Sequence, residues 1–122
     1  MINSILYFEE HCINIFEKLE NNFLKNPNNF AEYVYEITDL LHKLGTKMIQ
    51  DSLEAMDHML CESPIRKKSW IIEAHHTKTL LTSLGEVRFQ KTLFSNKKTK
   101  ESSYLLDQVL GLEPNQRMTG NL

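Results

Sequence analysis

The sequence predicts an α+β fold: an N-terminal two-helix hairpin, then a small antiparallel β-sheet of about three strands, then a short C-terminal helix. Apolar residues recur every three or four positions up to residue 61 and every second position after residue 68, so helices should give way to strands there. The net charge changes at the same place, from −7 over residues 1–65 to +7 over residues 66–100, and it is −2 over residues 101–122. We therefore expect a helical hairpin over 3–62, a basic antiparallel sheet over 66–104, and a short helix and tail over 105–122 that begin a further domain.

The first helix is predicted over residues 3–25. Its apolar residues step by three or four and so share one face: Ile5, Phe8, Cys12, Ile15, Leu19 and Phe23. Asn26-Pro27 should end this helix, because a residue before proline avoids the α region and proline suits the first turn of a new helix.

The second helix is predicted over residues 27–61. Its apolar stripe shifts by one position near Gly45, which we interpret as a bend. The stripe consists of Phe30, Val34, Ile37, Leu41, Leu44 and Met48, and then Ile49, Leu53, Met56 and Leu60. This helix would be roughly 50 Å long and the first roughly 35 Å. Its far end should therefore be covered by the rest of the domain or by a second chain.

Ser63-Pro64 should end the second helix, and the period then falls to two. Short runs rich in β-branched and aromatic residues indicate the strands: Ser69–Ala74, Thr79–Ser83 and Glu86–Ser95. Leu84-Gly85 indicates a tight hairpin turn. A charged turn is expected over 96–102, and then a short helix that stops at Gly111.

Val87, Phe89, Lys91 and Leu93 should share one face of the last strand. A lysine among apolar residues indicates that this face is not a fully closed core. Asp107 is expected near the start of the short helix, where a carboxylate can accept hydrogen bonds from free N–H groups.

The composition is ordinary for a globular protein. The chain is 41% hydrophobic and 25% charged, and its longest apolar stretch is Ile5–Phe8, too short to span a bilayer. Residues 1–20 have no basic segment followed by an apolar one, so we expect no signal peptide and a cytoplasmic protein. Two cysteines, Cys12 and Cys61, do not make a disulfide framework.

The basic block predicts a surface that faces a polyanion, with DNA as the expected partner. The candidate DNA-binding residues are Arg66, Lys67, Lys68, Trp70, Lys78, Arg88, Lys91, Lys97, Lys98 and Lys100. Trp70 could stack on an unpaired base. The alternative is a solvated strand face whose tryptophan belongs to the core.

The sequence indicates a metal site or a catalytic site only weakly. His58 and Cys61 have the spacing of half a zinc site on a helix, and only His75 and His76 could supply the rest. No nucleophile elbow and no glycine-rich phosphate loop is present. We therefore expect no catalytic residue, no metal, no cofactor and no small-molecule substrate.

Three segments, in their order and spacing, resemble a known family: RKKSW at 66–70, LGEVRFQKTLF at 84–94 and SYLLDQVLGLEP at 103–114. They are similar to the N-terminal region of ISLre-type bacterial insertion-sequence transposases, a group also classed as an uncharacterised protein family. The helical segment from Asn26 to Leu60 is similar to the start of the same family. The resemblance covers essentially the whole chain.

The resemblance implies a longer DDE-type enzyme whose metal-binding carboxylates would lie downstream of Leu122. Asp107 and Glu113 should not be taken for that catalytic set. The resemblance therefore implies a non-catalytic N-terminal fragment for DNA binding or transpososome assembly, and not an enzyme in itself. The alternative is an interaction module or inert remnant without DNA binding. The apolar heptads at 30–48 could form a homodimer through the helix Asn28–Cys61, and the alternative is an intramolecular helical hairpin that packs on the sheet.

Overall fold

The computed structural model describes residues 4–112 and confirms the α+β prediction of two long N-terminal helices, a three-stranded antiparallel sheet and a short C-terminal helix. Helices are α1 (Ser4–Tyr7), α2 (Ile13–Lys25), α3 (Phe30–Glu62), α4 (Pro64–Ser69) and α5 (Leu105–Leu110). Strands are β1 (Trp70–Thr82), β2 (Gly85–Asn96) and β3 (Ser102–Ser103). The predicted tail after residue 112 lies outside the described residues. Within them, no helix is both long and apolar enough to cross a membrane.

A π-helical turn, Phe8–Cys12, joins α1 to α2, and the predicted apolar face of the first helix is correct only in part. Leu19 and Phe23 are half-buried as predicted, but Ile5 is 69% exposed. Ile15, predicted to face inward, is 40% exposed, and its neighbour Phe16 is half-buried instead. Cys12, at the end of the π turn, is fully buried.

α2 packs beside the first half of α3, and the proline turn Pro27–Asn29 connects them. Phe23 stacks on Tyr33 with 4.6 Å between ring centroids. Leu40 is 5% exposed, whereas Leu41 is 49% exposed. The predicted stripe over this half of α3 is therefore correct only in part: Ile37 and Leu44 are half-buried. The exposed members lie beside the packed face, and they are Phe30, Val34, Leu41 and Met48.

The second half of α3 packs on the sheet. The core contains Leu80, Val87, Phe89 and Leu106, and the predicted residues Ile49, Leu53, Met56 and Leu60 pack against it. The rest of the domain therefore covers this half of the helix. A Cβ at Gly45 would lie 2.5 Å from Leu84 Cδ1. Gly45 thus admits the tip of the β1–β2 hairpin into contact with α3, which runs through this position as one continuous helix.

β1 and β2 form one long ribbon, paired from Trp70 with Asn96 to Thr82 with Gly85. The two strands predicted over 69–83 are thus a single strand with an irregularity between Ile72 and Ala74. The third strand is instead β3, which pairs with Phe94 and Ser95. Gly85, with φ +129°, follows a two-residue turn and needs the conformational freedom of glycine.

α3 also covers part of the outer edge of β2. The Gln90 amide donates to Glu54 Oε2 at 2.8 Å, and the Thr92 amide donates to Asp57 Oδ1 at 3.0 Å. These side chains replace the neighbouring strand that an edge would otherwise lack.

α5 closes the face that Lys91 was expected to leave open. Leu106 enters the core and Asp107 binds Lys91, so the Asp107 carboxylate serves this ion pair and makes no helix cap. α5 ends as predicted at Gly111, whose φ is +74°.

Candidate nucleic-acid interface

The end of α4 and the turn after β2 meet at one corner of the molecule. The Lys97 amide donates to Ser69 O at 2.9 Å, and Lys97 Nζ donates to Lys67 O at 2.7 Å. Five exposed lysines therefore gather there, and we call this group the basic corner: Lys67, Lys68, Lys97, Lys98 and Lys100.

Local sequence explains why the corner has a defined shape. Pro64 occupies the first turn of α4, and the lysines fall in its last turn, where cations oppose the negative end of the helix dipole. Asn96 builds the following turn, because its Oδ1 accepts hydrogen bonds from the amides of Lys98 and Thr99 at 2.9 and 3.0 Å. Sequence reasoning did not single out Asn96, although asparagine before a short polar run is a turn signal.

Arg66 lies beside the corner but is engaged by the fold. Its Nε donates to Cys61 O at 2.8 Å, its Nη2 donates to the same oxygen, and its Nη1 donates to Trp70 O at 3.4 Å. The guanidinium carbon lies 5.9 Å from the centre of the Phe94 ring. Arg66 therefore joins the end of α3 to the start of β1. Trp70 is half-buried at that junction.

Lys78 and Arg88 belong to a different part of the ribbon. Arg88 pairs with Thr79, eight residues along β2 from Asn96, which is roughly 26 Å at the rise of a strand. Lys78 is half-buried and its Nζ lies 5.6 Å from the centre of the Tyr104 ring. The structure therefore does not bring these two cations to the basic corner.

Lys91 is withdrawn from the surface altogether. It is 4% exposed, and its Nζ lies 2.7 Å from Asp107 Oδ2. Of the ten residues predicted to face DNA, the five lysines of the basic corner form one exposed group, and Arg66 and Trp70 are half-buried beside it.

Among the described residues, one of the five lysines of the corner forms a salt bridge, so most of the positive charge there is not neutralised. Lys67 Nζ lies 3.5 Å from Glu62 Oε2, and both side chains are more than half exposed. Water screens such a pair, so the attraction between them is weak. A phosphate that approaches the corner can replace the Glu62 contact at little cost.

The histidine and cysteine side chains converge only in part. Thr92 Oγ1 donates to Asp57 Oδ2 at 2.7 Å, and it also lies 3.0 Å from His75 Nδ1 and 3.3 Å from Cys61 Sγ. These groups and His58 line an open cleft of about 210 Å³. His76 points elsewhere, with Nδ1 2.7 Å from the Tyr104 hydroxyl. Within residues 4–112 no three His, Cys, Asp or Glu side chains are grouped to hold a metal ion.

Both cysteines are buried and free. Burial raises the pKa of the Cys12 thiol above its ordinary value, because a thiolate would be poorly solvated there. Cys12 lies in the helical hairpin and Cys61 at the end of α3, so neither belongs to the basic corner.

Comparison of the sequence with known proteins places the chain in a family. Residues 23–122 match the uncharacterised protein family UPF0236. The UPF0236 proteins TTE2489 and TTE0402 of Caldanaerobacter subterraneus subsp. tengcongensis are each 30% identical to the chain, over 96% and 97% of its length. No solved structure matches it. The chain spans about a quarter of those relatives, 24% and 23% of their lengths. It belongs to the UPF0236 family and corresponds to the N-terminal portion of its longer members.

Proposed function

We propose that this chain binds DNA through the basic corner, as the non-catalytic N-terminal part of a transposase-like protein. The observation that carries the proposal is the convergence of five exposed lysines from two separate segments on one hydrogen-bonded corner. The resemblance to insertion-sequence transposases supports DNA as the polyanion. Its role there would be DNA binding or transpososome assembly in transposition.

The number of lysines at the corner limits how strongly DNA binding should depend on salt. Each phosphate neutralised by a lysine contributes a slope of about −0.9 to log K against log salt concentration. Five lysines therefore set an upper limit of about −4.5. The acidic first 65 residues, with a charge of −7, repel DNA and should orient the basic corner toward it.

The test is binding of the purified chain to a fluorescent duplex over a salt series. Lys68 and Lys98 are exposed and make no hydrogen bond through their side chains within the described structure. The variant Lys68→Glu/Lys98→Glu should therefore keep the fold, weaken binding by about tenfold or more and reduce the salt slope by about two.

The matched control is Lys18→Glu/Lys25→Glu, which changes the net charge equally on the exposed side of α2. We expect this control to keep the wild-type salt slope, because α2 packs beside the first half of α3, whereas the corner follows the opposite end of that helix. Equal loss in the two variants, or no binding by the folded wild-type chain at low salt, would overturn the proposal.

A second candidate function is assembly, and a specific face of α3 favours it. Phe30, Val34, Leu41 and Met48 are 46–59% exposed and are separated by intervals of four, seven and seven, which place them on one face of the helix. Ala31, Thr38 and His42 lie beside them at helical spacing and are also exposed. No residue of this strip carries a full charge at neutral pH, so two copies could pack there without like-charge repulsion.

The second candidate is a homodimer through α3, within the predicted range Asn28–Cys61. Sedimentation of the wild-type chain should show concentration-dependent dimers, and Val34→Glu/Leu41→Glu should remove them because it buries charge in the contact. Lys18→Glu/Lys25→Glu serves as the control here too. A wild-type chain that stays monomeric up to high concentration would eliminate the dimer and leave DNA binding unaffected.

A further inference from the structure

Sequence-specific recognition of DNA needs directional hydrogen-bonding groups that are free to meet base edges. Residues 4–112 contain two arginines. The Arg66 guanidinium donates hydrogen bonds to Cys61 O and Trp70 O. Arg88 lies roughly 26 Å from Asn96 along the ribbon. The planar fork that most often recognises guanine is therefore not offered at the basic corner.

Two polar side chains of the corner, Asn96 and Thr99, take part in shaping its turn. An asparagine recognises adenine with its carbonyl oxygen and its amide together. Asn96 Oδ1 already accepts hydrogen bonds from the Lys98 and Thr99 amides, so this two-point contact is lost. Thr99 Oγ1 accepts a hydrogen bond from the Glu101 amide at 3.2 Å. Each of these bonds shapes the turn, and breaking it would release the lysines from their positions.

What remains at the corner is a group of ammonium ions. A lysine can also donate to guanine, but it is a compact charge on a flexible stem and binds phosphate without the fixed geometry of a guanidinium. Lys97 and Lys100 also donate to main-chain oxygens of Lys67 and Lys97, which keeps their heads at the surface of the corner. The elements that carry them are a six-residue helix and a turn.

We propose that the basic corner binds the phosphodiester backbone of duplex DNA and does not read base sequence. This inference rests on the proposed function and specifies its ligand. The corner would hold and position DNA, and any selection of a sequence would be made by other residues. Backbone contacts fix orientation on a duplex but carry no direct sequence information.

The deciding experiment selects with the full chain from a pool of duplexes of equal length and randomised interior sequence, and then compares the affinities of selected and unselected duplexes at one salt concentration. A protein that reads sequence loses about 1 kcal/mol or more, about fivefold, for even one mismatched base pair. We expect the affinities to differ by less than this, with parallel salt slopes. A larger preference that Lys68→Glu/Lys98→Glu abolishes would overturn the inference while leaving DNA binding established. Failure to bind any duplex would overturn both.

Arg66→Lys provides an independent readout. The variant keeps the charge but loses the bonds from the guanidinium to Cys61 O and Trp70 O. We expect a lower denaturation midpoint, with the ratio of affinities among duplexes unchanged. A change in that ratio, in a variant that still folds, would show that Arg66 reads bases and would also overturn the inference.

Discussion

Lys91 Nζ lies 2.8 Å from Oδ1 and 2.7 Å from Oδ2 of Asp107, and both side chains are 5% exposed. The same ammonium lies 4.1 Å from the centre of the Tyr104 ring. The pair joins β2 to α5. Without Asp107, Lys91 would be a buried charge with no partner on this face of β2. Because both ions are removed from water, each is tolerated only in the presence of the other.

Lys91→Met should lower the free energy of unfolding by about 3–5 kcal/mol, because it leaves the Asp107 carboxylate buried without a partner. Lys91→Met/Asp107→Leu should recover most of that loss, since no buried charge remains. Urea unfolding of the two variants measures the difference. Equal losses in the single and double variants would contradict a coupled buried pair.

Asp57→Asn should weaken the attachment of α3 to the edge of β2. The Asp57 carboxylate accepts hydrogen bonds from both the amide and the hydroxyl of Thr92, and an asparagine amide offers only one oxygen. Hydrogen bonds to charged groups contribute about 1.5–3 kcal/mol each, and we expect a loss of that order. Hydrogen exchange at the Thr92 amide should accelerate.

Glu54→Gln is the control for Asp57→Asn. Glu54 accepts a single bond from the exposed Gln90 amide, and glutamine keeps an acceptor for it. We expect a loss below about 1 kcal/mol. If Thr92 exchange is equally fast in both variants, the buried carboxylate has no special part in holding the edge.

Gly45→Ala should stabilise the protein more when Leu84 is also shortened. Alanine in a helix interior is favoured over glycine by about 0.8–1 kcal/mol. In the wild-type chain the new methyl group would lie 2.5 Å from Leu84 Cδ1, so part of this gain is lost in moving Leu84. In a Leu84→Ala background the full gain should appear. Thermal unfolding of the four chains gives the coupling, and an identical increment in both backgrounds would mean that the contact imposes no strain.

Stability at alkaline pH should depend on Cys12. Burial raises the pKa of this thiol in the folded state, so above the ordinary thiol pKa the folded chain holds a proton that the unfolded chain releases. The free energy of unfolding should therefore fall as pH rises from about 8 to about 10. Cys12→Ala should remove this part of the decline, and unfolding curves at both pH values measure it. The same decline in both proteins would contradict the assignment.

Much of the fold could be predicted from sequence because its signals are local. Pro27 and Pro64 mark where helices begin, Gly111 marks where α5 ends, and the change of period marks the start of the sheet. The errors have local causes as well. Ile15 and Phe16 are adjacent apolar residues, and either could continue the apolar face. The run His75–Lys78 lacks the apolar alternation of a strand and so made one long strand look like two.

The candidate site was predictable in part. The basic block predicted a cationic surface, but no local pattern indicated that Lys97 would be exposed and Lys91 buried. One is exposed at a turn, and the other is buried against Asp107, sixteen residues away along the chain. Asn96 and Arg66 act through main-chain groups that only the folded chain brings near them.

The sequence by itself determined the types of the elements, most of their boundaries and the separation of acidic helices from basic strands. These features depend on residues within a few positions of one another, through backbone preference, hydrophobic period and charge. The tertiary structure decided which lysines face solvent, which helix face is covered and which side chains are already engaged. Those outcomes depend on pairing between distant segments, as when Lys97 reaches Lys67 and Asp107 neutralises Lys91.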